Sequence, residues 1–227
     1  RTFSSAASDV YKRQQQYIGF SPKPAFVSDK WMSHATEFDA ARANSLLDEI
    51  GMKDTDGDGF RELPNGDKLV LNMSFATQGI AGQTVELVGQ YWADVGVQSV
   101  VKEVTPDEFR SAQSANKLDV MMWRKSQPLA IVLGNNELWV PPFENYFGVR
   151  TGMLWAEWVD SNGANGVEPP AYVKELISDI NAFQSADQSS DEFKVLGERM
   201  VKNMVENLLF IGTCLLYTSP SPRDLAQ

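Results

Sequence analysis

The sequence predicts an α/β protein, a three-layer lobe in which helices cover a largely parallel sheet. Between residues 68 and 123, strand-like and helix-like stretches alternate in the order β-α-β-α-β. In the first of them, KLVLNMSFAT, apolar side chains occupy alternate positions and therefore share one face. Strands separated by crossover helices favour parallel pairing, so this order predicts helices on the faces of the sheet.

Capping and turn residues predict where the elements begin and end. Asp39 is the expected N-cap of a helix over residues 40–50, and Gly51 stands at the position that follows a helix C-terminus. The sequence Thr105-Pro106-Asp107-Glu108 is a capping box with proline in the first turn, which predicts a helix over residues 106–115. The other elements of this part are strands over residues 68–77, 97–104 and 118–123 and a helix over residues 81–95.

The C-terminal part predicts two amphipathic helices. Residues 171–184 follow Pro169-Pro170, and residues 191–207 follow the capping pair Ser189-Ser190. The apolar run LLFIG at 208–212 predicts the start of another strand. Residues 15–37 are expected to be an irregular connection, and residues 124–168 show no periodic element although they are rich in aromatic side chains.

Composition excludes some classes of partner. The 227-residue chain has a net charge of −10 at pH 7 and a pI of about 4.6, which argues against nucleic acid. No apolar run approaches the roughly 20 residues that a membrane-spanning helix needs.

Both ends of the chain resemble translated sequencing adapters, SSAASDVYKRQ at the front and CLLYTSPSPRD behind. We therefore expect residues 1–14 and 214–227 to be foreign to the protein. Residues 15–213 would then be an internal piece of a longer chain, without its signal peptide. Within that piece, residues 38–213 are expected to form one α/β domain.

The most distinctive loop is acidic and covers residues 54–62. Asp54, Asp56, Asp58 and Gly59 match the first, third, fifth and sixth positions of a calcium-binding loop. Asn65 stands at the twelfth position, where a bidentate glutamate is expected, and a strand rather than a helix is predicted to follow. Two interpretations remain open: a calcium-stabilised structural or adhesion module, or a turn in which aspartates accept hydrogen bonds from local backbone amides.

Sequence motifs of catalysis are missing. The chain has no GxSxG elbow, no phosphate-binding glycine loop and no HExxH helix, and its only cysteine is Cys214, in a segment expected to be foreign. We expect no enzymatic activity and no cofactor other than calcium bound weakly by the acidic loop. A hydrolase acting on oligomers is the remaining enzymatic alternative.

The run DAARANSLLDEIGMKDTDGDGFRELPNGDKLVLNMSF resembles a segment of the extracellular solute-binding protein family 5, the peptide-binding components of bacterial ABC importers. The segments ELVGQYWADVGVQSVVKEVTPDEF, LDVMMWRKSQP, GVEPPAYVKELISDI and ENLLFIGT are similar to later parts of that family, in the same order. This resemblance covers residues 38–213. It implies an incomplete second lobe of a type II (cluster C) periplasmic-binding-protein-like fold, with the solute held between two lobes.

The resemblance also implies where a solute would bind. Trp123 takes the place of the family's ligand-facing tryptophan, and Arg124 follows it. Ser126 stands where peptide-binding members carry an acidic residue for the amino terminus of the peptide, so an oligosaccharide-like solute is as open as an oligopeptide. Trp139, Trp155 and Trp158 are further candidates, because aromatic surface suits sugars and peptide side chains alike.

The function implied is that of a substrate-binding component. The protein would capture its solute by hinge closure and deliver it to the membrane permease of an ABC transporter. It would act outside the cytoplasm, in the periplasm or held by a lipid anchor, as a monomer when complete.

Overall fold

The computed structural model describes Phe20 and residues 23–122 and 152–212. These residues form helices and strands as follows: α1 (Asp29–Met32), α2 (Ala40–Glu49), β1 (Val70–Phe75), α3 (Gly82–Ala93), β2 (Gln98–Glu103), α4 (Pro106–Ser114), β3 (Val120–Met121), α5 (Met153–Asp160), α6 (Ala171–Ser185) and α7 (Asp191–Glu206). The chain divides into two compact units. We call them the sheet unit, described over residues 39–122 and 152–169, and the helical unit, described over Phe20 and residues 23–38 and 170–212.

A three-stranded parallel sheet, in the order β2-β1-β3, lies at the centre of the sheet unit. β1 pairs with β2 along its whole length, and with β3 at two positions. The predicted β-α-β-α-β succession along the chain is thus confirmed. β3 begins later than expected. The Asp119 carboxylate accepts hydrogen bonds from the backbone N–H and the side-chain amide of Asn72. That backbone N–H is therefore occupied and does not extend the pairing with β3.

Helices lie on both faces of the sheet, with α3 packed closely on β2 and α4 beside the carboxyl end of the sheet. On the first face, α3 packs against a core that consists of Met73, Phe75, Val85 and Met122, with Ile80, Val88, Trp92, Val101 and Val120 around it. The connection from β1 to β2 and the connection from β2 to β3 run in opposite directions across the sheet. Because both crossovers are right-handed, α4 lies on the face opposite to α3. Ser74 and Lys102, which point to that face, line a groove together with Phe109 of α4.

Local capping explains why the helices begin and end where they do. The Thr105 side chain accepts a hydrogen bond from the Glu108 N–H, and the Glu108 carboxylate accepts one from the Thr105 N–H, so the capping box is confirmed. These hydrogen bonds from Thr105 lower the pKa of Glu108. Asp39 caps α2 through the Arg42 N–H, and Gly51 follows that helix with φ +83°.

An aromatic cluster forms the centre of the helical unit, between the predicted helices α6 and α7 and the segment before α1. Phe183 and Phe193 stack with ring centroids 4.2 Å apart. Phe26 meets both rings edge-on at 5.9 Å. Gly197 makes this possible, because a Cβ there would lie 2.6 Å from the ring of Phe26.

The helical unit also buries one carboxylate. Asp179 of α6 lies 2.7 Å from the guanidinium of Arg199 on α7. Burial raises the pKa of Asp179, and the nearby charge of Arg199 opposes that rise. The pair joins two helices, so we interpret it as part of the packing rather than as a solute site.

Three expectations for the chain need correction. A helix, α5, lies in the stretch that was predicted to have no periodic element; its N-cap is Gly152, which offers no side-chain acceptor and so gives no capping signal. The strand predicted at 208–212 is wrong, because Leu208 has φ +49° and the N–H groups of Leu208 and Leu209 bond back to the end of α7. Helical periodicity places Ala43, Leu46, Leu47 and Ile50 on one apolar face of α2 and predicts its burial, but Leu46 and Ile50 are 45% and 62% exposed. Within the described residues, no helix has the length and apolarity to cross a bilayer.

Candidate functional site

The carboxyl edge of the parallel sheet is the candidate solute site. Phe75 at the end of β1 lies opposite Glu103 of β2, and Ser74 lies opposite Met121 of β3, so the three strands end together. Open α/β sheets bind ligands outside the carboxyl ends of their strands. Trp123, which lies outside the described residues, comes two residues after the end of β3 in the sequence.

Polar side chains, including the exposed carboxylate of Glu103, occupy the described part of the edge. Thr77 and Gln78 follow β1 and are exposed, and Thr105 follows β2 and is also exposed. Beneath them, the apolar side chain of Phe75 is almost fully buried, and Ala76 has no exposed surface. The edge thus offers hydroxyl, amide and carboxylate groups on a packed support, a combination that suits polar ligands.

The loop between β1 and α3 is held in one conformation by short-range bonds. The N–H groups of Gly79 and Ile80 both donate to the carbonyl of Ala76. Gly82 opens α3 against the ring of Phe75, where a Cβ would lie only 2.9 Å away. Ala81, the N-cap, provides no side-chain cap. The first-turn N–H groups of α3 therefore have no side-chain acceptor from that residue.

Sequence reasoning missed a groove next to this edge. The groove has a volume of about 490 Å³ and lies between α4 and the sheet, lined by hydroxyl groups and two lysines among other side chains. Its lining includes Ser74, Lys102, Thr105, Ser111 and Lys117. The groove could not be predicted from the sequence, because Ser74 and Lys102 become neighbours only through the register in which β1 pairs with β2.

The predicted solute-binding residues divide into two groups. Trp123, Arg124, Ser126 and Trp139 lie outside the described residues, so their roles stay predictions. Trp155 and Trp158 lie on α5, three residues apart, and both are half-buried. A Cβ placed on Gly163 would touch the indole of Trp158 at 3.5 Å, so Trp158 packs at least partly on its own turn.

The acidic loop is held by hydrogen bonds of its own. The two carboxylate oxygens of Asp54 accept from the N–H groups of Gly57 and Gly59, at 2.7 and 2.9 Å. Both glycines have positive φ, +81° and +92°. Glu62, which is buried, accepts from the N–H and the hydroxyl of Thr55. This is the local pattern of the turn interpretation.

A lysine forms ion pairs with two of the carboxylates that would be calcium ligands. Carboxylate oxygens of Asp54, Asp56, Asp58 and Glu62 lie within 4.8 Å of one another, so their spacing alone suits a cation. The ammonium of Lys68, however, is 2.9 Å from Asp56 and 2.6 Å from Asp58. These contacts raise the pKa of Lys68 and lower the pKa of Asp58. The lysine thus already provides a positive charge to two of the four carboxylates that calcium would bind.

We expect calcium to have little effect on the stability of the chain. Added to metal-free protein, it should leave the melting temperature nearly unchanged, because Lys68 already forms ion pairs with two of the four carboxylates. The Lys68→Gln variant should show a larger calcium-dependent rise, and Lys194→Gln, which removes a comparably exposed lysine from a single aspartate, should behave like the unaltered chain. A large rise in the unaltered chain would instead support the calcium-stabilised module.

Comparison with known proteins decides the family. The family model for bacterial extracellular solute-binding proteins, family 5 (Middle), matches residues 5–129, more than half of the chain. The chain belongs to solute-binding protein family 5. The predicted family and the α/β fold class are both confirmed.

Several known proteins are similar to this chain in sequence or in fold. The periplasmic α-galactoside-binding protein of Rhizobium meliloti (strain 1021) is 27% identical over 77% of this chain and 24% of its own length. The oligopeptide-binding protein OppA is 26% identical, with a TM-score of 0.75 over 88% of this chain and 33% of its own. The periplasmic binding protein MelB of Agrobacterium fabrum C58, solved with stachyose, is 22% identical, with a TM-score of 0.69 over 86% of this chain and 28% of its own. This family 5 chain therefore spans between a quarter and a third of the length of these relatives.

Proposed function

We propose that the chain is part of the substrate-binding component of an ABC importer, which captures an oligomeric solute between two lobes and has no catalytic activity. The observation that supports this most is the carboxyl edge of the sheet, where three parallel strands end together just before Trp123. In the proposed function this edge forms one wall of the solute cleft. Capture by hinge closure then needs placed polar groups and aromatic surface rather than catalytic groups.

An oligosaccharide is the solute class that we favour over an oligopeptide. Ser126 replaces the acidic residue that the family resemblance places opposite a peptide amino terminus. Among the described side chains of the edge, Thr77 and Gln78 are exposed, uncharged donors and acceptors, as sugar hydroxyls require, whereas Glu103 is charged. Two of the relatives, the α-galactoside-binding protein and MelB with stachyose, support the same class, whereas OppA supports peptides.

Calorimetric titration of a full-length protein that carries this segment distinguishes the two classes. We expect saturable binding of stachyose, weak or no binding of a mixed oligopeptide pool, and recovery of the sugar unchanged after long incubation. Tighter binding of the peptides would contradict the oligosaccharide proposal and support an oligopeptide as the solute. Hydrolysis of the sugar would support the hydrolase alternative and contradict the proposal that the protein is not an enzyme.

The proposal also includes the partner of the protein and its cellular location. We propose that the complete protein acts outside the cytoplasm as a monomer and delivers its solute to a membrane permease. The net charge of −10 at pH 7 agrees with a soluble carrier that does not bind nucleic acid. Deletion of the genes for the permease that this protein serves should abolish solute uptake while leaving solute binding by the purified protein intact.

A further inference from the structure

Three Asn-Gly dipeptides occur in the sequence, at 65–66, 162–163 and 165–166, and all three asparagines are exposed. In such a dipeptide the backbone nitrogen of the glycine can attack the side-chain carbonyl carbon of the asparagine. Glycine permits this because no Cβ hinders the approach and the backbone can reach unusual dihedral angles. By local sequence alone, the three sites should react at similar rates.

In the folded protein the three sites differ in whether the backbone nitrogen of the glycine, which must attack, is hydrogen-bonded. The Gly66 N–H donates to the carbonyl of Leu63 at 2.8 Å, and the Gly163 N–H donates to the carbonyl of Trp158, also at 2.8 Å. At both sites this hydrogen bond must break before the nitrogen can turn towards the asparagine side chain. Within the described residues, the Gly166 N–H makes no hydrogen bond.

The turn around Asn165 leaves its side chain available as well. The Asn165 N–H donates to the hydroxyl of Ser161, and that hydroxyl donates to the backbone carbonyl of Asn165. These bonds engage only the backbone of Asn165. In the part of the chain that the structure describes, its side-chain amide has no partner, whereas the amide of Asn65 donates to Asp67.

We propose that Asn165 is a deamidation site of the folded protein, and that Asn65 and Asn162 are protected. The Gly166 nitrogen loses its proton and forms a bond to Cγ of Asn165, and the bond from Cγ to the side-chain nitrogen breaks. Ammonia leaves, and a five-membered succinimide remains. Water then opens the ring at either carbonyl, which gives aspartate or isoaspartate and one additional negative charge. No redox change is involved.

The position of Gly166 gives this reaction a structural consequence. A Cβ on Gly166 would lie 2.3 Å from the carbonyl oxygen of Leu154 and 2.6 Å from the nitrogen of Trp158, so the backbone here packs closely on α5. Isoaspartate lengthens the main chain by one carbon at this contact. Deamidation at Asn165 should therefore disturb the helix that carries Trp155 and Trp158.

Peptide mapping by mass spectrometry during incubation at mildly alkaline pH tests the proposal. One hydrogen bond changes an equilibrium constant by roughly twofold to tenfold, so Asn165 should deamidate faster than Asn65 and Asn162 by about that factor. The same chain incubated in concentrated urea is the matched control, because unfolding removes the protecting bonds. There the three rates should converge.

Two further measurements make the result decisive. Amide hydrogen exchange on the native sample should show Gly66 and Gly163 protected and Gly166 unprotected. In the Asn165→Ser variant, deamidation at the other two sites should continue at their native rates. Equal native rates at all three sites, or faster reaction at Asn65 or Asn162, would overturn the proposal.

Discussion

Replacing Phe183 by alanine is expected to lower the free energy of unfolding by about 3–5 kcal/mol, as for other large-to-small changes in protein cores. The side chain is 1% exposed and stacks on Phe193 with centroids 4.2 Å apart. Phe26 contacts the same ring edge-on. The substitution would leave a cavity that two flanking helices cannot close without losing their own contacts.

Urea unfolding followed by far-UV circular dichroism measures this loss, and hydrogen exchange shows whether it is located in α6 and α7. The matched control is Val195→Ala, because Val195 lies on α7 but is 52% exposed. This control should change the free energy of unfolding by less than about 0.5 kcal/mol. Similar effects of the two substitutions would show that the aromatic cluster is not the core of the helical unit.

Replacing Arg61 by methionine is expected to lower the free energy of unfolding of the sheet unit by about 3 kcal/mol. The guanidinium is largely buried and donates to the carbonyl groups of Met52 and Val95 and to the side chains of Asn44 and Asp48. These partners come from α2, the segment after it and the turn between α3 and β2. Methionine keeps the apolar volume but leaves the four acceptors without that donor.

Two variants separate the geometry of Arg61 from its charge. Arg61→Lys keeps the charge but lacks the planar fork of donors, so it should restore only part of the loss. Arg42→Met removes an exposed ion pair with Glu49 and should change the free energy of unfolding by less than about 1 kcal/mol. Full rescue by lysine in the urea unfolding measurement would contradict the role given to the fork.

The sheet and its flanking helices could be predicted because their signals are local. The capping box at Thr105, the cap at Asp39 and the glycine at 51 each depend on residues within one helical turn. Apolar alternation in β1 likewise identified the buried face of the strand, with Met73 fully buried. Such short-range patterns survive in a single sequence.

Features that depend on distant residues could not be predicted. Arg61 bonds to Val95, 34 positions away, and nothing near Arg61 in the sequence indicates that partner. The ion pairs between Lys68 and the calcium-like loop depend on how the turn after the loop folds back, which the sequence does not indicate. The sequence therefore left both interpretations of the loop open. Helix α5 was missed because its first residue follows a glycine in the left-handed region instead of a capping side chain.

The central claim is that the carboxyl edge of the sheet binds a solute, and the Trp123→Ala variant tests it most directly. In a full-length protein that carries this segment, we expect the variant to bind stachyose at least about 30-fold more weakly, the loss expected for a buried aromatic hot spot. Val100→Ala changes an exposed side chain in the middle of β2, away from the edge, and should leave the affinity unchanged. Equal stachyose affinity of the Trp123→Ala variant and the unaltered protein would contradict the account.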